Sequence, residues 1–454
     1  MKKVITYGSF DLFHEGHYKL LKRAKELGDY LIVGVTTEQY DEYRGKLNIV
    51  DSLMERIEHI KQTGFADQII IEDHVGQKVE DIQKYKVDIF TVGSDWLGKF
   101  EYLRKYCDVV YLERTKGISS TLLRNSAQGI IRLGVIGSGR IARRFIPEVK
   151  YVSGVNVEVV YNPHIESAKK LALENELKIY TDDVEQLYKN SDAIYVASPH
   201  KTHYVYAKQA LERKKHVLCE KPMVFSKKEA EELFTLAEKN DCILIEAIKT
   251  AYAPGFLKLI STAKSGSIGK VCDVEACFTK LEQNIQGREF QIEELGGSFT
   301  ELASYPLLAI LKILGHDYES ISFVSFVDKT GLDLYTKVFM QYKNAIATAK
   351  VGLGVKSEGN LVISGTNGYV LAESPWWLTK NFELRYENFE YNEKFFSKYQ
   401  GQGLRYEISA FISRINGYHK FDNALTKEDS IKLAEIMEMY LKDKEEKRIK
   451  EFVY

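Results

Sequence analysis

The sequence predicts an α/β protein with two doubly wound parallel sheets, followed by an α+β lobe. At 454 residues the chain is too long for one ordinary core, and about 150 residues per domain favours two or three domains. Short apolar runs alternate with helical patterns over residues 4–112 and again over 131–247, which is typical of parallel sheets covered by helices. Beyond Gly269 the apolar runs are longer and richer in β-branched and aromatic residues, which favours a large, mostly antiparallel sheet.

The first half contains five predicted strands and two predicted helices. The strands are expected at residues 4–7, 30–35, 68–71, 87–92 and 109–112. Apolar residues at helical spacing predict helices at 18–27 and 53–62. The segment 124–129 is polar and ends at a glycine, so we place a domain boundary there and assign residues 1–128 to the first domain.

The same alternation restarts in the second half. Strands are expected at residues 131–136, 157–161, 193–197, 216–219 and 243–247, within a second domain over 129–250. Longer strands are expected at residues 271–278, 321–327, 345–353 and 360–370, within a third domain over 251–454. An amphipathic, charged helix is expected at residues 431–450.

The composition is that of a globular protein whose partners are small molecules rather than nucleic acid or membrane. The formal net charge of -1 gives no general attraction to polyanions, so phosphate binding has to be local. The five cysteines include no CxxC pair, which favours reduced thiols and a cytoplasmic location over zinc or disulfides. The first seven residues lack the apolar stretch of a signal peptide, and no run of 18 apolar residues predicts a membrane span.

The first motif follows the first predicted strand and reads Gly8-Ser9-Phe10-Asp11-Leu12-Phe13-His14-Glu15-Gly16-His17. A glycine at the end of a buried strand lets backbone amides approach a phosphate, and the helix beginning near His17 adds its positive end. His14 and His17 can both donate hydrogen bonds to phosphoryl oxygens whose charge grows during transfer. The alternative is that the two imidazoles only cap the helix or pack.

A second phosphate-binding segment follows the last strand of the first half and reads Arg114-Thr115-Lys116-Gly117-Ile118-Ser119-Ser120-Thr121. It brings a guanidinium, a flexible glycine and several hydroxyls to the expected start of a helix. By itself this segment is typical of an ordinary helix-capping loop. Together with the histidine loop it predicts the other side of a single triphosphate site.

These two segments resemble the cytidylyltransferase family, and most of all its glycerol-3-phosphate cytidylyltransferases. The resemblance covers nearly all of residues 1–125 and includes the stretch Gly93-Ser94-Asp95-Trp96-Leu97-Gly98-Lys99-Phe100. It implies a Rossmann-like nucleotidylyltransferase domain that converts CTP and a polyol phosphate into a CDP-polyol and pyrophosphate with Mg²⁺, and no protein side chain is assigned to the metal. Adenylyl transfer stays open because related nucleotidylyltransferases share the histidine loop, although residues 114–121 favour CTP.

The resemblance also implies roles for individual residues. The catalytic residues would be His14, His17, Lys46 and Arg114, and the acceptor residues would be Asp11 and Arg56. The nucleotide-binding residues would be Gly8, Ser9, Phe10, Gly16, Asp95, Trp96, Arg114, Gly117, Ile118, Ser119, Ser120 and Thr121. Ser9 and Ser120 stand where the family usually has threonine and keep the hydroxyl, whereas the loop around Lys46 differs more from the family pattern, which leaves the acceptor open.

The second glycine motif reads Gly137-Ser138-Gly139-Arg140-Ile141-Ala142 and lies between a predicted strand and a predicted helix. In this context Gly137 makes the turn, Gly139 admits a pyrophosphate and Ala142 packs helix on strand, so the motif predicts a dinucleotide site. The next strand ends at Asn162 rather than at the usual acidic residue, and an amide can bond to a ribose hydroxyl without repelling a 2′-phosphate. NAD and NADP both stay open, and Arg140 favours NADP unless it is only a surface charge.

Residues downstream of this motif resemble the Gfo/Idh/MocA family of NAD(P)-dependent oxidoreductases. Besides the glycine motif, the resemblance is carried by Ser198-Pro199-His200 with His203, by Glu220-Lys221-Pro222 and by residues 296–306. It spans residue 130 to the C-terminus and implies a Rossmann domain, a large sheet used in homo-oligomers, and hydride transfer to or from a sugar-like alcohol. The cofactor-binding residues would be Gly137, Ser138, Gly139, Arg140, Ile141, Ala142, Asn162, Ser198, Pro199, His200, His203, Glu220, Lys221 and Pro222.

Lys221 and Tyr305 would be the proton-handling pair of this second site. A tyrosine beside a lysine cation can have a lowered pKa and act as general acid for an alkoxide. Glu301, a third catalytic candidate, stands where the family usually has aspartate, so the charge is kept on a longer side chain. The alternative for Tyr305 is an ordinary core aromatic, since the chain has 29 tyrosines.

Together the motifs predict a bifunctional enzyme. The second half would reduce a phosphorylated keto- or aldo-compound, or its precursor, to a polyol phosphate, and the first half would activate that product with CTP for a surface polymer such as capsule or teichoic acid. Two alternatives stay open. In one, the oxidoreductase acts on an unrelated or CDP-linked substrate; in the other, the second half is a non-catalytic NAD(P)-binding oligomerisation module.

Overall fold

The computed structural model describes residues 1–47, 49, 51–113, 129–284, 286–418 and 423–453, apart from the side chain of Asp95. Contacts divide the chain into two compact units. The first unit consists of Met1–Arg132 and Val149–Asn156, and the second consists of Leu133–Glu148 and Val157–Tyr454. Helices and strands are numbered below in chain order over the described residues.

The first unit is built on a five-stranded sheet. Its strands are β1 (Lys3–Gly8), β2 (Tyr30–Thr36), β3 (Gln68–Glu72), β4 (Ile89–Gly93) and β5 (Asp108–Leu112). The order is β3-β2-β1-β4-β5, and all four neighbouring pairs are parallel, as the alternating pattern predicts. The helices are α1 (Glu15–Glu26), α2 (Glu38–Tyr43), α3 (Leu53–Gln62) and α4 (Gln77–Tyr85).

The central strands of this sheet are buried on both faces. Val4, Ile5, Leu31 and Ile32 are all completely inaccessible to solvent, as expected of strands with helices on either side. β1 lies between β2 and β4, so the order of the strands along the chain reverses next to β1. Open parallel sheets bind ligands at the carboxyl ends of the strands beside such a reversal.

A second parallel sheet follows the first. Its strands are β6 (Ile131–Ile136), β7 (Val155–Tyr161), β8 (Ile179–Thr181), β9 (Ala193–Val196), β10 (His216–Glu220) and β11 (Leu244–Ala247), in the order β11-β10-β9-β6-β7-β8. The accompanying helices are α5 (Arg140–Val149), α6 (Ile165–Glu174), α7 (Val184–Lys189), α8 (His203–Glu212) and α9 (Lys227–Lys239). Here the strand order reverses between β6 and β9, which predicts a ligand site at their carboxyl ends.

The C-terminal part of the second unit contains a nine-stranded sheet. Its strands are β12 (Val271–Thr279), β13 (Tyr318–Val327), β14 (Asp333–Tyr342), β15 (Ala345–Gly352), β16 (Leu361–Gly365), β17 (Tyr369–Ala372), β18 (Asn381–Arg385), β19 (Glu393–Phe396) and β20 (Lys450–Val453). The order is β19-β18-β17-β16-β12-β15-β14-β13-β20, and only β12–β15 and β13–β20 pair in parallel among these described strands. The prediction of a mostly antiparallel sheet is confirmed.

Six helices accompany this sheet in the part of the chain that the structure describes. They are α10 (Lys249–Tyr252), α11 (Pro254–Lys264), α12 (Ser298–Leu302), α13 (Ser304–Leu314), α14 (Leu404–Ile415) and α15 (Lys427–Glu445). Among the helices of the described ranges, none is long and apolar enough to cross a membrane.

Two sequence-based boundaries in this region were wrong. The run 360–370 is not one strand, because Thr366 and Asn367 turn the chain between β16 and β17, which pair antiparallel. Two-residue connections rich in glycine and asparagine are typical of tight hairpins. The last helix also ends at Glu445, where Lys447 adopts a left-handed conformation with φ of 55°, and the following residues form β20 instead of continuing the helix to residue 450.

Candidate active sites

The first candidate site lies at the carboxyl end of β1. The histidine loop follows Gly8, the last residue of β1, and a short 3₁₀ turn, Ser94–Trp96, follows the end of β4. Because β1 and β4 are parallel neighbours, their carboxyl ends lie at one edge of the sheet. The structure thereby places these two sequence-predicted segments at the same edge, where the strand order reverses.

The histidine loop has an unusual backbone. Phe10 and Leu12 have φ values of 52° and 46°, a left-handed region that bulky residues adopt at a cost of about 1–3 kcal/mol each. Asp51 holds the loop in place: its Oδ2 accepts a hydrogen bond from the Leu12 amide at 2.8 Å, and its own amide donates to Asp11 Oδ1 at 2.8 Å. Asp11, which was predicted to bind the acceptor substrate, is buried. Its hydrogen bond ties it to the loop that precedes α3.

The two histidines of the loop stack on each other. Their ring centroids are 3.9 Å apart, with 21° between the ring planes. His14 Nδ1 accepts a hydrogen bond from the Gly16 amide at 3.0 Å and so caps α1. An accepting Nδ1 carries no proton, so in the neutral ring the N–H of His14 is at Nε2.

His17 is held in its neutral form. Burial lowers its pKa well below the ordinary value, and His14 and Lys46 act in the same direction. Its Nδ1 atom is buried and has no hydrogen-bond partner among the described residues. The ring also contacts Phe10 and Phe13, at centroid distances of 5.4 and 5.5 Å. The pair therefore combines ring packing with capping of α1.

Gly16 is required by the imidazole that lies over it. A Cβ atom at this position would lie 2.8 Å from Cε1 and 2.9 Å from Nδ1 of His14. Any side chain at position 16 would push the His14 ring away from the start of α1. The spacing of the two histidines around a glycine thus has a steric reason that the sequence alone does not reveal.

Arg56, which was predicted to bind the acceptor substrate, lies inside the first unit. Its guanidinium is completely buried, and Nη1 donates to the backbone carbonyls of Ser9 at 2.9 Å and Thr36 at 2.8 Å. Nη2 lies 3.2 Å from Glu38 Oε1. In this arrangement Arg56 ties the end of β2 to the histidine loop, and its direct contact with an acceptor stays a prediction.

Lys46 lies against the histidine loop. Its Nζ donates to Ser9 Oγ at 2.5 Å. Burial lowers the pKa of Lys46, and the carboxylates of Asp41 and Asp11 act in the opposite direction. A cationic group of this kind beside the first residue of the loop is suited to a phosphate.

Trp96 lies at the edge of the same site. Its side chain is 39% exposed, and Lys99 Nζ lies 5.0 Å from its ring centroid, close enough for a cation–π interaction. The side chain of Asp95 lies outside the described residues, as do Arg114, Gly117, Ile118, Ser119, Ser120 and Thr121. Their roles remain predictions.

The second candidate site begins at the glycine motif between β6 and α5. Gly137 has φ of 103°, and a Cβ there would lie 2.4 Å from the carbonyl oxygen of Ala197. Ala142 is completely buried. A Cβ on Gly139, by contrast, would have no atom within 4 Å other than its own chain neighbours in the described structure. The start of α5 therefore presents bare backbone that fits a pyrophosphate.

Asn162 lies at the end of β7, beside this motif. Its amide nitrogen donates to Ser138 Oγ at 2.8 Å, and its amide oxygen accepts from the His164 amide at 2.8 Å. These contacts orient the side chain next to the glycine motif. Its predicted contact with a ribose hydroxyl is compatible with this position and stays a prediction.

Arg140 is paired with acidic side chains of the same unit. It forms an ion pair with Glu289, and its Nη1 lies 4.0 Å from Glu282. The side chain is 63% exposed, so the ion pair is screened by solvent. Arg140 is thus an exposed charge paired with glutamates, and its contact with a 2′-phosphate stays a prediction.

His203 joins two of the sequence-predicted segments. Its Nε2 lies 2.9 Å from the Ser198 carbonyl oxygen, and its Nδ1 lies 2.9 Å from the Pro222 carbonyl oxygen. Burial lowers its pKa to about 4, although the two carbonyls act in the opposite direction. At neutral pH the ring is therefore neutral and donates to only one of the two carbonyls. Pro199 lies exposed next to Ser198.

Lys221 lies directly after β10, at the carboxyl edge of the second parallel sheet. Its Nζ donates to the Glu301 carbonyl oxygen at 2.7 Å and lies 5.9 Å from the ring centroid of Tyr305. Its neighbour Glu220 accepts a hydrogen bond from the Tyr195 hydroxyl at 2.5 Å. The structure therefore brings Lys221, Glu301 and Tyr305 together, as the sequence predicts.

The expected lowering of the Tyr305 pKa is wrong in this structure. Burial, together with the negative charges of Glu220 and Glu407, raises the pKa of Tyr305 well above its ordinary value. Lys221 lies over the face of the Tyr305 ring. Tyr305 is therefore a protonated phenol at neutral pH, able to hold a proton rather than to lose it early.

Arg288 is a site residue that the sequence analysis missed. It lies in a 3₁₀ turn, Arg288–Phe290, and its Nη2 lies 2.8 Å from Glu301 Oε1. Its Nη1 lies 3.1 Å from His200 Nδ1. Burial, followed by the Arg288 charge, lowers the pKa of His200 well below its ordinary value. No motif marks Arg288, because it lies in an irregular segment 88 residues from its histidine partner.

These positions form a polar site at the carboxyl ends of β9 and β10. Lys221 and Arg288 supply cations, Glu301 supplies a carboxylate, and His200 and Tyr305 supply neutral groups that can donate or accept. Such a set can orient a substrate with several hydroxyls and move one proton. Within the described ranges, no group of three or more histidine, cysteine, aspartate or glutamate side chains could hold a metal ion.

Comparisons with known proteins divide the chain in the same way. Residues 5–126 match the cytidylyltransferase-like family. Residues 131–248 match the NAD-binding Rossmann fold of the GFO/IDH/MocA oxidoreductase family, and residues 256–371 match the C-terminal domain of that family.

Relatives are found for both halves. A glycerol-3-phosphate cytidylyltransferase of Bacillus spizizenii is 49% identical over 124 residues, which are 27% of this chain and 95% of the relative. The NADP-dependent scyllo-inositol 2-dehydrogenase IolU of Bacillus subtilis is 24% identical over 316 residues, which are 68% of this chain and 95% of the relative.

A solved structure shares the fold of the second half. The 3-ketoreductase KijD10 of Actinomadura kijaniata, in complex with NADP and TDP-benzene, has a TM-score of 0.63 at 21% identity and matches 72% of this chain and 99% of its own. At this identity the likeness shows the fold of the second half. The chain belongs to the cytidylyltransferase-like family in its first part and to the GFO/IDH/MocA oxidoreductase family in its second, and it joins two enzyme domains in one polypeptide.

Proposed function

We propose that this protein transfers CMP from CTP to a polyol phosphate and transfers hydride between NAD(P) and a sugar- or polyol-like substrate. The stacked His14 and His17 rings at the end of β1 carry the proposal, since two neutral N–H donors at a helix start suit nucleotidyl transfer. Glycerol 3-phosphate or a similar polyol phosphate is the proposed acceptor, because the relatives of the first half are named for it.

In the first reaction, a phosphate oxygen of the acceptor attacks the α-phosphorus of CTP. The new P–O bond forms as the bond to the bridging oxygen of the β-phosphate breaks, and pyrophosphate leaves with the electron pair. The His14 N–H and the His17 ring donate to the oxygens that gain charge. The acceptor phosphate is already ionised, so no residue has to remove a proton. Lys46 is placed to hold a phosphate beside Ser9.

The metal and the positioning residues complete the first site. Mg²⁺ would enter with the triphosphate and neutralise part of its charge. Asp11 and Arg56 would act mainly by holding the loop, because Asp51 and two backbone carbonyls bind them in the folded unit. Their substitution would then disturb the position of the histidines as well as the acceptor.

In the second reaction, NAD(P)H held at the start of α5 would supply the hydride that reduces a substrate carbonyl. The protonated hydroxyl of Tyr305 gives its proton to the developing alkoxide, and the positive charge of Lys221 stabilises the tyrosinate that remains. Arg288, Glu301 and His200 would orient neighbouring hydroxyls of the substrate. The start of α5, with Gly137 and Gly139, would hold the pyrophosphate of the cofactor.

The two reactions are proposed to be consecutive, with the reduced polyol phosphate passing to the cytidylyltransferase domain. The CDP-polyol would serve a surface polymer such as capsule or teichoic acid. Both reactions use small, water-soluble phosphates and nucleotides, which fits a cytoplasmic enzyme. A homo-oligomer formed through the nine-stranded sheet is part of the same proposal.

The first experiment measures pyrophosphate release. Full-length protein is incubated with CTP, Mg²⁺ and, in parallel, the phosphates of glycerol, erythritol, ribitol and a hexitol. Release of pyrophosphate and formation of a CDP-polyol with at least one acceptor support the proposal. No release with any acceptor contradicts it, and release with ATP instead of CTP identifies an adenylyltransferase.

The second experiment tests the order of the reactions. NADH or NADPH oxidation is followed with ketose phosphates, free ketoses and CDP-linked carbonyl compounds, and products are identified by mass spectrometry after CTP is added. A CDP-polyol formed from a ketose phosphate, CTP and NAD(P)H supports consecutive steps. Oxidation only with a CDP-linked compound reverses their order, and no NAD(P)H oxidation with any of these compounds supports the non-catalytic alternative.

A further inference from the structure

A cavity of about 170 Å³ lies in the second unit between α9, β11, α10, α14 and the start of α15. Its polar lining includes Glu246, Tyr252, Arg414, Thr426 and Ser430, and its apolar lining includes the α9 residue Ala237. The residues that form the candidate oxidoreductase site at the ends of β9 and β10 do not line this cavity. This chamber is therefore separate from that site.

Two buried polar atoms in the lining lack partners. Glu246 Oε2 and the Tyr252 hydroxyl have no hydrogen-bond partner among the described residues, although Glu246 is 3% exposed and Tyr252 is completely buried. Burial raises the pKa of Glu246 to about 7, and the amide of Met223 and the nearby hydroxyl of Ser430 act in the opposite direction. Buried polar groups without a partner are rare in folded proteins, because leaving them unpaired is destabilising.

The cationic groups around the cavity are matched within the protein. Lys427 Nζ lies 2.6 Å from Glu238 Oε1, and Arg414 Nη2 donates to the Leu425 carbonyl oxygen at 3.0 Å. Thr426 and Asp429 form a capping box at the start of α15. The carboxyl oxygen of Glu246 and the phenol of Tyr252 are suited to the hydroxyl groups of a ligand.

We propose that this cavity binds a small uncharged polyol of three or four carbons. One ligand hydroxyl donates to Glu246 Oε2, and another oxygen accepts from the Tyr252 hydroxyl. A cavity of about 150 Å³ in another protein holds a six-membered ring, so the chamber accommodates a ligand with roughly six non-hydrogen atoms. Glycerol has this size, whereas a phosphorylated polyol is larger and places its charge beside Glu246.

The site is connected to the loop that carries Lys221. The other oxygen of the same carboxyl, Glu246 Oε1, accepts a hydrogen bond from the Met223 amide at 3.0 Å. Met223 lies two residues after Lys221. A ligand at Oε2 thereby shares one carboxyl group with the segment that positions Lys221, while the proposal itself does not depend on the substrate of either candidate active site.

The test measures polyol binding to the full-length protein by isothermal titration or ligand-observed NMR. Glycerol and erythritol are compared with 1-propanol, which has a similar length but one hydroxyl, and with glycerol 3-phosphate. We expect saturable binding of a free polyol that is at least fivefold tighter than that of both reference compounds. Equal binding of 1-propanol or tighter binding of glycerol 3-phosphate overturns the proposal.

Variants locate the binding. Tyr252→Phe removes only the phenol oxygen, and we expect it to weaken polyol binding by about fivefold. Tyr342→Phe is the matched control, because its hydroxyl donates to Gly315 outside the cavity. Ala237→Leu fills the chamber from α9, and we expect it to abolish polyol binding. It is the second test variant in case Tyr252→Phe fails to fold. Unchanged binding in Ala237→Leu, or crystals soaked in glycerol with only water in the cavity, overturns the proposal.

Discussion

At the start of α1, Gly16 lies under the imidazole of His14, whereas at the start of α5, Gly139 faces open space. Both turns follow the carboxyl end of a buried strand and both begin a helix. A Cβ would lie 2.8 Å from the His14 ring in the first turn but would have no neighbouring atom within 4 Å of the described chain in the second. In the first motif glycine makes room for a side chain of the protein, whereas in the second it leaves the backbone uncovered.

The difference matches the chemistry proposed for each turn. Nucleotidyl transfer needs donors placed where charge grows, and the first turn holds two imidazoles at the helix start for that purpose. Dinucleotide binding needs close approach of backbone amides to a pyrophosphate, and the second turn leaves that backbone uncovered. Changes at His17, Gly16 and Gly139 therefore test the comparison directly.

The largest effect is expected for His17→Ala. Removal of one transition-state donor lowers kcat by about 10²–10³-fold in other enzymes, and we expect a similar fall in CDP-polyol formation. NAD(P)H oxidation should stay unchanged, since His17 lies in the first unit. His74→Ala is the matched control, because His74 is an exposed histidine of the same unit, paired with Asp73. A fall equal to that of the control contradicts the role of His17.

A smaller effect is expected for Gly16→Ala. The added Cβ has to displace the His14 ring, and misplacement of a reacting group by about 1 Å costs about 10²-fold. We expect cytidylyl transfer to fall by up to that factor, with little change in the melting temperature of the protein. Pyrophosphate release and thermal unfolding measure the two quantities. An activity equal to that of the unmodified protein shows that the stacked ring position does not matter.

The alternating pattern of apolar strands and helices was sufficient to predict both parallel sheets and the position of each glycine motif. These features depend on residues close in sequence, and the switch points follow from strand order. These local patterns do not predict that Lys221, Glu301 and Tyr305 come together. That prediction came only from the family resemblance. The contact between Lys221 and Glu301, for example, bridges 80 residues of chain.

The remaining features depend on contacts that local patterns do not encode. Arg288 reaches His200 from an irregular segment, and Arg56 turns inward to bind two backbone carbonyls. The pKa of Tyr305 is raised by burial and by the carboxyl groups of Glu220 and Glu407. In each case the deciding quantity is burial or a neighbour that is distant in sequence.

A still smaller effect is expected for Gly139→Ala. A Cβ here meets no protein atom, so the melting temperature should be unchanged. The methyl group would instead occupy the surface that faces a bound pyrophosphate, and we expect NAD(P)H affinity to fall by about tenfold, or about 1.4 kcal/mol. Fluorescence titration with NADPH measures the affinity, and CTP-dependent activity serves as the internal control. A lower melting temperature of Gly139→Ala with unchanged NADPH affinity would contradict the proposal that Gly139 leaves room for a ligand.

The smallest effect concerns the pH dependence of the second site. Arg288 lowers the pKa of His200, in addition to burial, so Arg288→Gln should raise that pKa while burial keeps it below the ordinary value. His200 would then take up its proton at a higher pH, and the acid limb of the hydride-transfer profile should move upward. NMR titration of the His200 ring measures the shift, with Lys280→Gln, an exposed partner of Glu282, as the control. An unchanged or lower His200 pKa shows that the guanidinium does not act on this ring, because removal of a neighbouring cation otherwise favours the protonated imidazole.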